Sequence, residues 1–266
     1  MPLRYEVDGN VATITIDNPP VNVFTPELHR EFYHILQDFM ADRSVHVGIF
    51  TGAGTRAFCA GDDIKTVRPK RTVAETVERH LYPIDRNATP EYPGWEYEVR
   101  RLVQERFKPI IGAVNGPVMG QGMIYLLQLT DIRIASPNAI FGLPEIAFGM
   151  GGASGTTRLG RQIPHVAALW LALTGEPFDA EAALRNHMIN EIVAPDKLME
   201  RARKIADRIA GHPPIAVRTE MEAYYRAQDM TREQATAVAA HLYRLQRTTM
   251  DATPPLSKTK PLKSVL

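Results

Sequence analysis

Phe58-Cys59-Ala60-Gly61-Asp62-Asp63-Ile64-Lys65, read together with Asn115-Gly116-Pro117-Val118-Met119-Gly120-Gln121-Gly122, decides how this chain folds. Each stretch closes an apolar, strand-like run with a glycine-punctuated turn, and such turns hold backbone N–H groups outside regular pairing. Brought together, the two turns aim one N–H each at a single carbonyl oxygen, the arrangement that stabilises an enolate or a tetrahedral oxyanion. The chain therefore reads as an enzyme with an oxyanion hole.

Outward from these turns, strands and helices alternate. Val11-Ala12-Thr13-Ile14-Thr15-Ile16 has strand alternation and stops at Asp17-Asn18-Pro19-Pro20, where two prolines forbid both helix and ladder. Thr25 caps a predicted helix with Pro26 and Glu27 in its first turn, and Leu28, Phe32, Ile35, Leu36 and Phe39 recur at helical spacing. Val45 to Gly52 and Pro109 to Val114 are apolar runs of the kind buried in parallel sheets. A helix is expected from about Gly122 to Leu129, and strands at Asp131–Ala135 and Ala139–Gly142 are joined by Ser136-Pro137-Asn138. Residues 66–98 are interrupted by Pro69, Pro83, Pro90 and Pro93 and are expected to be irregular, with Ala88 to Trp95 as a loop carrying aromatic anchors. Beyond about residue 160 helices dominate, punctuated at Thr174-Gly175-Glu176-Pro177, Asp179, Pro195-Asp196 and His212-Pro213-Pro214, with one more after Thr231. The fold class is α/β with a largely parallel sheet, divided into a core over 1–195 and a helical region with an extended tail over 196–266.

Composition excludes several functions. The 266 residues carry 31 Lys+Arg against 30 Asp+Glu, a net charge of +1, so no global field points to nucleic acid or an anionic membrane as a partner. Cys59 is the only cysteine; no intrachain disulfide forms, and no His/Cys pattern has metal-ligand spacing. Without a neighbouring base it reads as a packing residue. The N-terminal MPLRYEVDGNVATITID has strand character and no signal-peptide core, so a cytoplasmic location is the expectation. No apolar run approaches the ~18–20 residues needed to span a bilayer.

In order and spacing the chain resembles the enoyl-CoA hydratase/isomerase, or crotonase, family over residues 3–225. The resemblance rests on Asn18-Pro19-Pro20-Val21-Asn22, the Phe58 to Ile64 turn, Lys108 to Gly116, Phe141-Gly142-Leu143-Pro144-Glu145, Thr156-Thr157-Arg158-Leu159, Leu173-Thr174-Gly175 and Ala180-Glu181-Ala182. It implies crotonase-like repeated ββα units, a C-terminal helical oligomerisation region that builds a homotrimer or a dimer of trimers, and a site for acyl-CoA thioesters. Coenzyme A enters only as part of the substrate, with no further cofactor and no metal. The positions matching the two oxyanion donors are Asp62 and Gln121, where the family usually has a small or apolar residue and a glycine. The helix beginning at Gly120 to Gly122 adds its positive end.

Asp62 poses a problem of sign, since a carboxylate aimed at an enolate opposes it; its side chain is expected to turn away, to pair with a cation, or to act as a second acid/base group. Asp63 is expected to hold the turn through backbone N–H bonds. The family's hydratases use two glutamates. One is present as Glu145, whose flanks Leu143-Pro144 and Ile146-Ala147-Phe148 are apolar and predict a raised pKa. The other falls on Ile124 or Tyr125, depending on the landmark counted from. With one glutamate the expected reaction is a double-bond shift through an enolate. The alternatives are hydration or dehydration with Asp62, Tyr125 or a residue of the 66–98 stretch as replacement, acyl-CoA binding without turnover, and hydrolysis or dehalogenation by a carboxylate nucleophile. CoA is expected on Arg56 and Lys65, the backbone around Ala60, Ile64 and Gly120, and Val21 beneath the pantetheine arm; the tail lysines Lys258, Lys260 and Lys263 read as solvated surface residues rather than phosphate ligands of a neighbouring subunit. Gly149 to Gly155 departs from the family by lacking its proline and one residue, and reads as tight packing; it has no nucleotide-loop lysine.

Overall fold

The computed structural model describes residues 2–66, 70–82, 94–151 and 155–250. The aromatic loop over 88–93, the glycine-rich residues 152–154 and the tail lysines Lys258, Lys260 and Lys263 lie outside them.

The main sheet is built from β1 (Leu3–Asp8), β2 (Val11–Ile16), β3 (Val47–Gly52), β4 (Ile110–Val114), β6 (Ile132–Ala135) and β9 (Glu191–Ile192), in the order β1-β2-β3-β4-β6-β9. β1 pairs antiparallel with β2, and every other pairing is parallel. All residues of β3 and β4 are buried, which is why both read as continuous apolar runs.

A second layer explains the position of the glycine turns. β5 (Val118–Met119), β7 (Ile140–Gly142) and β8 (Phe178–Asp179) form a small sheet in the order β5-β7-β8. The 59–62 segment joins it through a bridge from Cys59 to Val118, and Phe24 through a bridge to Asp62. Four parallel strands of the main sheet thus lead into a short stretch of the second layer: β2 to Phe24, β3 to residues 59–62, β4 to β5, and β6 to β7. Two of these stretches lead directly into helices, α1 (Pro26–Ala41) and α4 (Gln121–Leu129). The turns therefore line up side by side at one edge.

α1 begins where Thr25 accepts the Leu28 N–H, and its buried face carries Leu28, His29, Phe32, Tyr33, Leu36 and Phe39. The stretch expected to be irregular contains α2 (Val73–Leu81) and the start of α3 (Trp95–Val103). α2 is opened by a reciprocal Thr72–Glu75 capping box, a local signal that the surrounding prolines obscured. Trp95 is fully buried, its ring 5.4 Å from that of Tyr33.

Short helices α5 (Gly155–Leu159), α6 (His165–Thr174) and α7 (Ala180–Arg185) follow, the last capped by Asp179 as expected. α8 (Leu198–Ala210) buries Leu198, Ala202 and Ala206 among Val47, Ile49, Ile111 and Ile134 of the main sheet. The expected division after residue 195 separates α8 from the sheet it covers; the first compact unit ends at Gly211 and the second begins at His212. The second unit contains the helix pair α9 (Pro214–Ala227) and α10 (Arg232–Met250).

Candidate active site

The first turn is held from both sides. Phe24 N–H donates to Gly61 O at 2.9 Å and Asp63 N–H to Phe24 O at 2.8 Å, while Ala60 N–H donates to Val21 O at 3.0 Å. In this parallel pattern the residue between the two bonded neighbours directs its own N–H to the opposite side. For Asp62 that is the side of the 117–121 segment, which is tied to the same chain by Cys59 N–H to Pro117 O and Met119 N–H to Cys59 O. Asn22 clamps the base of the turn: its amide donates to Ala57 O and Ala53 O, and it accepts the Asn18 N–H. Its φ of 57° is tolerated by asparagine.

The second turn meets the first closely. Gly120 has φ 53°, and its N–H donates to Gly142 O at 3.1 Å. Gln121 is the first residue of α4, one of the positions whose N–H has no intrahelical acceptor. A Cβ built on Gly61 would lie 3.6 Å from Gln121 N and 3.2 Å from Met119 O. The close approach also needs Gly122, where a Cβ would sit 2.7 Å from the Cys59 Cβ and Sγ. Cys59 is fully buried, and burial pushes its thiol up to about 12, in keeping with a packing role.

Glu145 reaches the same place from the 3-10 turn Pro144–Phe148 that follows β7. Its Oε1 would lie 3.1 Å from a Cβ on Gly120, and its Oε2 is buried without a hydrogen-bond partner. Burial raises its pKa, and the charge of Asp62 raises it further. Asp62, Gln121 and Glu145 are therefore brought together.

What the sequence did not reveal is the partner of Asp62. Its Oδ1 lies 2.9 Å from His29 Nε2, and His29 Nδ1 lies 2.6 Å from the Tyr125 hydroxyl. His29 projects from the first turns of α1 and Tyr125 from α4; the two side chains are 2% and 0% exposed, whereas Asp62 keeps 30%. Burial drives the Tyr125 pKa well up, so it stays a phenol; the Asp62 carboxylate, an acceptor only, selects the tautomer with its proton on Nε2, and in the neutral ring Nδ1 then accepts the Tyr125 O–H. Of the two places counted for a second glutamate, Ile124 is core and Tyr125 ends this buried chain. Gln121 lies one helical turn before Tyr125, buried, with its Nε2 lacking a partner.

Asp63 holds the turn as expected: it accepts from Lys65 N–H at 2.9 Å and Thr66 Oγ1 at 2.7 Å, and these bonds lower its pKa. Among the candidates for CoA, Val21 and Ala60 are joined by their backbone bond beside Gly61. Ala60, Lys65 and Arg56 are exposed, and Ile64 is 91% exposed just beyond the turn. Among the described residues no cluster of three or more His, Cys, Asp or Glu side chains is placed to hold a metal ion, and no helix is long and apolar enough to cross a membrane.

The sequence model of the enoyl-CoA hydratase/isomerase family matches residues 6–253. (E)-Benzylidenesuccinyl-CoA hydratase of Thauera aromatica is 34% identical over 254 residues, which is 94% of this chain and 93% of the relative. Short-chain-enoyl-CoA hydratase of Clostridium acetobutylicum is 32% identical over 240 residues, 90% and 86% of the two chains. Among solved structures, an enoyl-CoA hydratase/isomerase from Mycobacterium paratuberculosis has a TM-score of 0.79 at 31% identity, covering 95% of this chain and 92% of that one.

Proposed function

Because the chain belongs to the enoyl-CoA hydratase/isomerase family, we propose that it adds water to the double bond of a 2-enoyl-CoA thioester, or removes it in reverse. The observation that carries this reading is the convergence of the Gly61–Asp62 and Gly120–Gln121 turns beside the Glu145 carboxyl. The N–H groups of Asp62 and Gln121 hold the thioester oxygen as it becomes an enolate, a charge that preorganised dipoles stabilise strongly. Glu145, whose pKa is raised by partial burial and by the nearby charge of Asp62, delivers a proton to the α-carbon. The exposed backbone of Ala60 and the side chains of Val21, Ile64, Lys65 and Arg56 receive the CoA.

Hydration is favoured over a double-bond shift by the names of the relatives and by a second carboxyl group, that of Asp62, close enough to perturb Glu145. A shift by Glu145 alone is the second reading, favoured by Ile124 and Tyr125 standing where another glutamate is expected. A panel of 2-enoyl- and 3-enoyl-CoA esters separates them. Loss of the conjugated thioester absorbance with formation of 3-hydroxyacyl-CoA is the expected result; gain of conjugation from 3-enoyl esters without hydration overturns it in favour of the shift.

We also propose assembly into a homotrimer or a dimer of trimers. α6 leaves Val166, Leu169, Trp170 and Leu173 exposed, apolar surface that isolated domains seldom present in a cluster. Light scattering at a trimer or hexamer mass is the expected result, and a monomer mass at micromolar concentration rejects it.

A further inference from the structure

Hydration needs two proton-handling groups, and the described geometry offers a second one at the site. The Tyr125–His29–Asp62 chain begins in the core and ends at a carboxylate that retains access to solvent. A histidine on the buried face of a helix is ordinarily a satisfied core residue. Here both ring nitrogens are used, one on a phenol and one on a carboxylate, which fixes the ring and points a donor at Asp62. The same bond answers the problem of sign: it holds the carboxylate by its Oδ1 while the main-chain N–H of the same residue faces the other turn.

We propose that Asp62, oriented by the buried His29–Tyr125 pair, is the base that takes the proton from the attacking water, with Glu145 as the acid on the α-carbon. The inference rests on the hydration reading above. In the forward direction a water O–H bond breaks and its proton passes to the Asp62 carboxylate, while the water oxygen bonds the β-carbon. The C=C electron pair shifts to a double bond between the α-carbon and the carbonyl carbon and the C=O pair moves onto the thioester oxygen, giving an enolate held by the N–H groups of Asp62 and Gln121. As the carbonyl re-forms, the α-carbon takes the Glu145 proton. The product has gained the elements of water, OH from the attacking molecule and H from Glu145, and the proton on Asp62 is released to solvent as Glu145 takes one up. His29 and Tyr125 touch no reacting atom in this scheme and are positioning residues.

Among the described residues, the groups acting on Asp62 include His29 from α1, Glu145 from the turn after β7, Tyr125 from α4 and Cys59 from its own segment, with Gln121 of α4 and Glu96 and Arg100 of α3 acting on Tyr125. Donation from His29 favours the carboxylate form of Asp62, and the Tyr125 hydroxyl on Nδ1 holds that donor in place, so losing either should move the acid limb of the kcat/KM profile to higher pH.

Asp62→Asn keeps the main-chain donor and removes the base, which makes two assays on one protein decisive. One is hydration of a 2-enoyl-CoA; the other is exchange of the α-protons of a saturated acyl-CoA in deuterium oxide, which needs only Glu145 and the oxyanion hole. Asp62→Asn should lower hydration kcat by ~10²–10⁴-fold and exchange by a much smaller factor, the latter because the Asp62 charge also acts on Glu145. Tyr125→Phe, a change of one oxygen atom, should lower hydration kcat about tenfold at unchanged KM and shift the acid limb upward. Full hydration by Asp62→Asn, or equal loss of hydration and exchange, overturns the role of Asp62 as base. An unmoved acid limb in Tyr125→Phe overturns the positioning role, and this variant carries the test where Asp62→Asn does not fold. Failure of the hydration reading is distinguishable, because then the wild type itself exchanges α-protons but forms no 3-hydroxyacyl-CoA.

Discussion

Glu145→Gln is expected to lower kcat for hydration by ~10²–10⁴-fold, the range typical of removing one positioned acid or base. The substitution is nearly isosteric and keeps a polar group 3.1 Å from the position of a Gly120 Cβ, so substrate binding should change little and KM should hold. Proton exchange at the α-carbon of a saturated acyl-CoA should fall with hydration, since both use the same group. Retention of either activity within about tenfold of wild type removes Glu145 from the chemistry.

Stability separates this result from misfolding, and its sign follows from linkage. Burial disfavours the charged carboxylate and raises the Glu145 pKa. Between the unfolded and folded pKa values the native state therefore binds more protons than the unfolded state, and stability falls as pH rises through that window. Glu145→Gln has no charge to bury and lacks that fall. The variant should unfold no earlier than wild type at low pH and somewhat later at neutral pH, as thermal denaturation across the two conditions would show.

Much of the architecture was legible because it is written in local spacing. The helical recurrence from Leu28 to Phe39, the buried runs of β3 and β4, and the glycines at 61, 120 and 122 each show within a few consecutive residues, though the reason for the glycines is long-range. The glycines in particular follow from the close passage of the two turns, where a Cβ at 122 would collide with Cys59. α2 was obscured because prolines on either side outweighed the Thr72–Glu75 capping box. The chain from Tyr125 through His29 to Asp62 was not legible at all. It joins residues 96 and 33 positions apart, and no periodicity links them; only the folding of α1 over the second layer brings the three together. The one sequence signal was indirect: a carboxylate at 62, where the family usually has a small or apolar residue, needs some group to hold it away from the enolate.

Gln121→Pro should lower kcat by ~10²–10³-fold while leaving the protein folded, the loss expected from deleting one donor of an oxyanion hole. Residue 121 has a special position in α4. It is the first helical residue after the Gly120 cap, where proline is well tolerated because its missing N–H makes no helical bond and its fixed φ suits the first turn. Gly120 at ψ −125° is also outside the helical region that a following proline disfavours. The change therefore removes one backbone donor without breaking the helix. The side chain of Gln121 is lost at the same time, and Gln121→Ala controls for it by keeping the N–H. If the main chain is the functional part, Gln121→Ala keeps kcat within about tenfold of wild type while Gln121→Pro does not. Equal effects of the two variants would assign the role to the buried amide side chain instead, and a fully active Gln121→Pro would mean that the thioester oxygen does not bind between these turns.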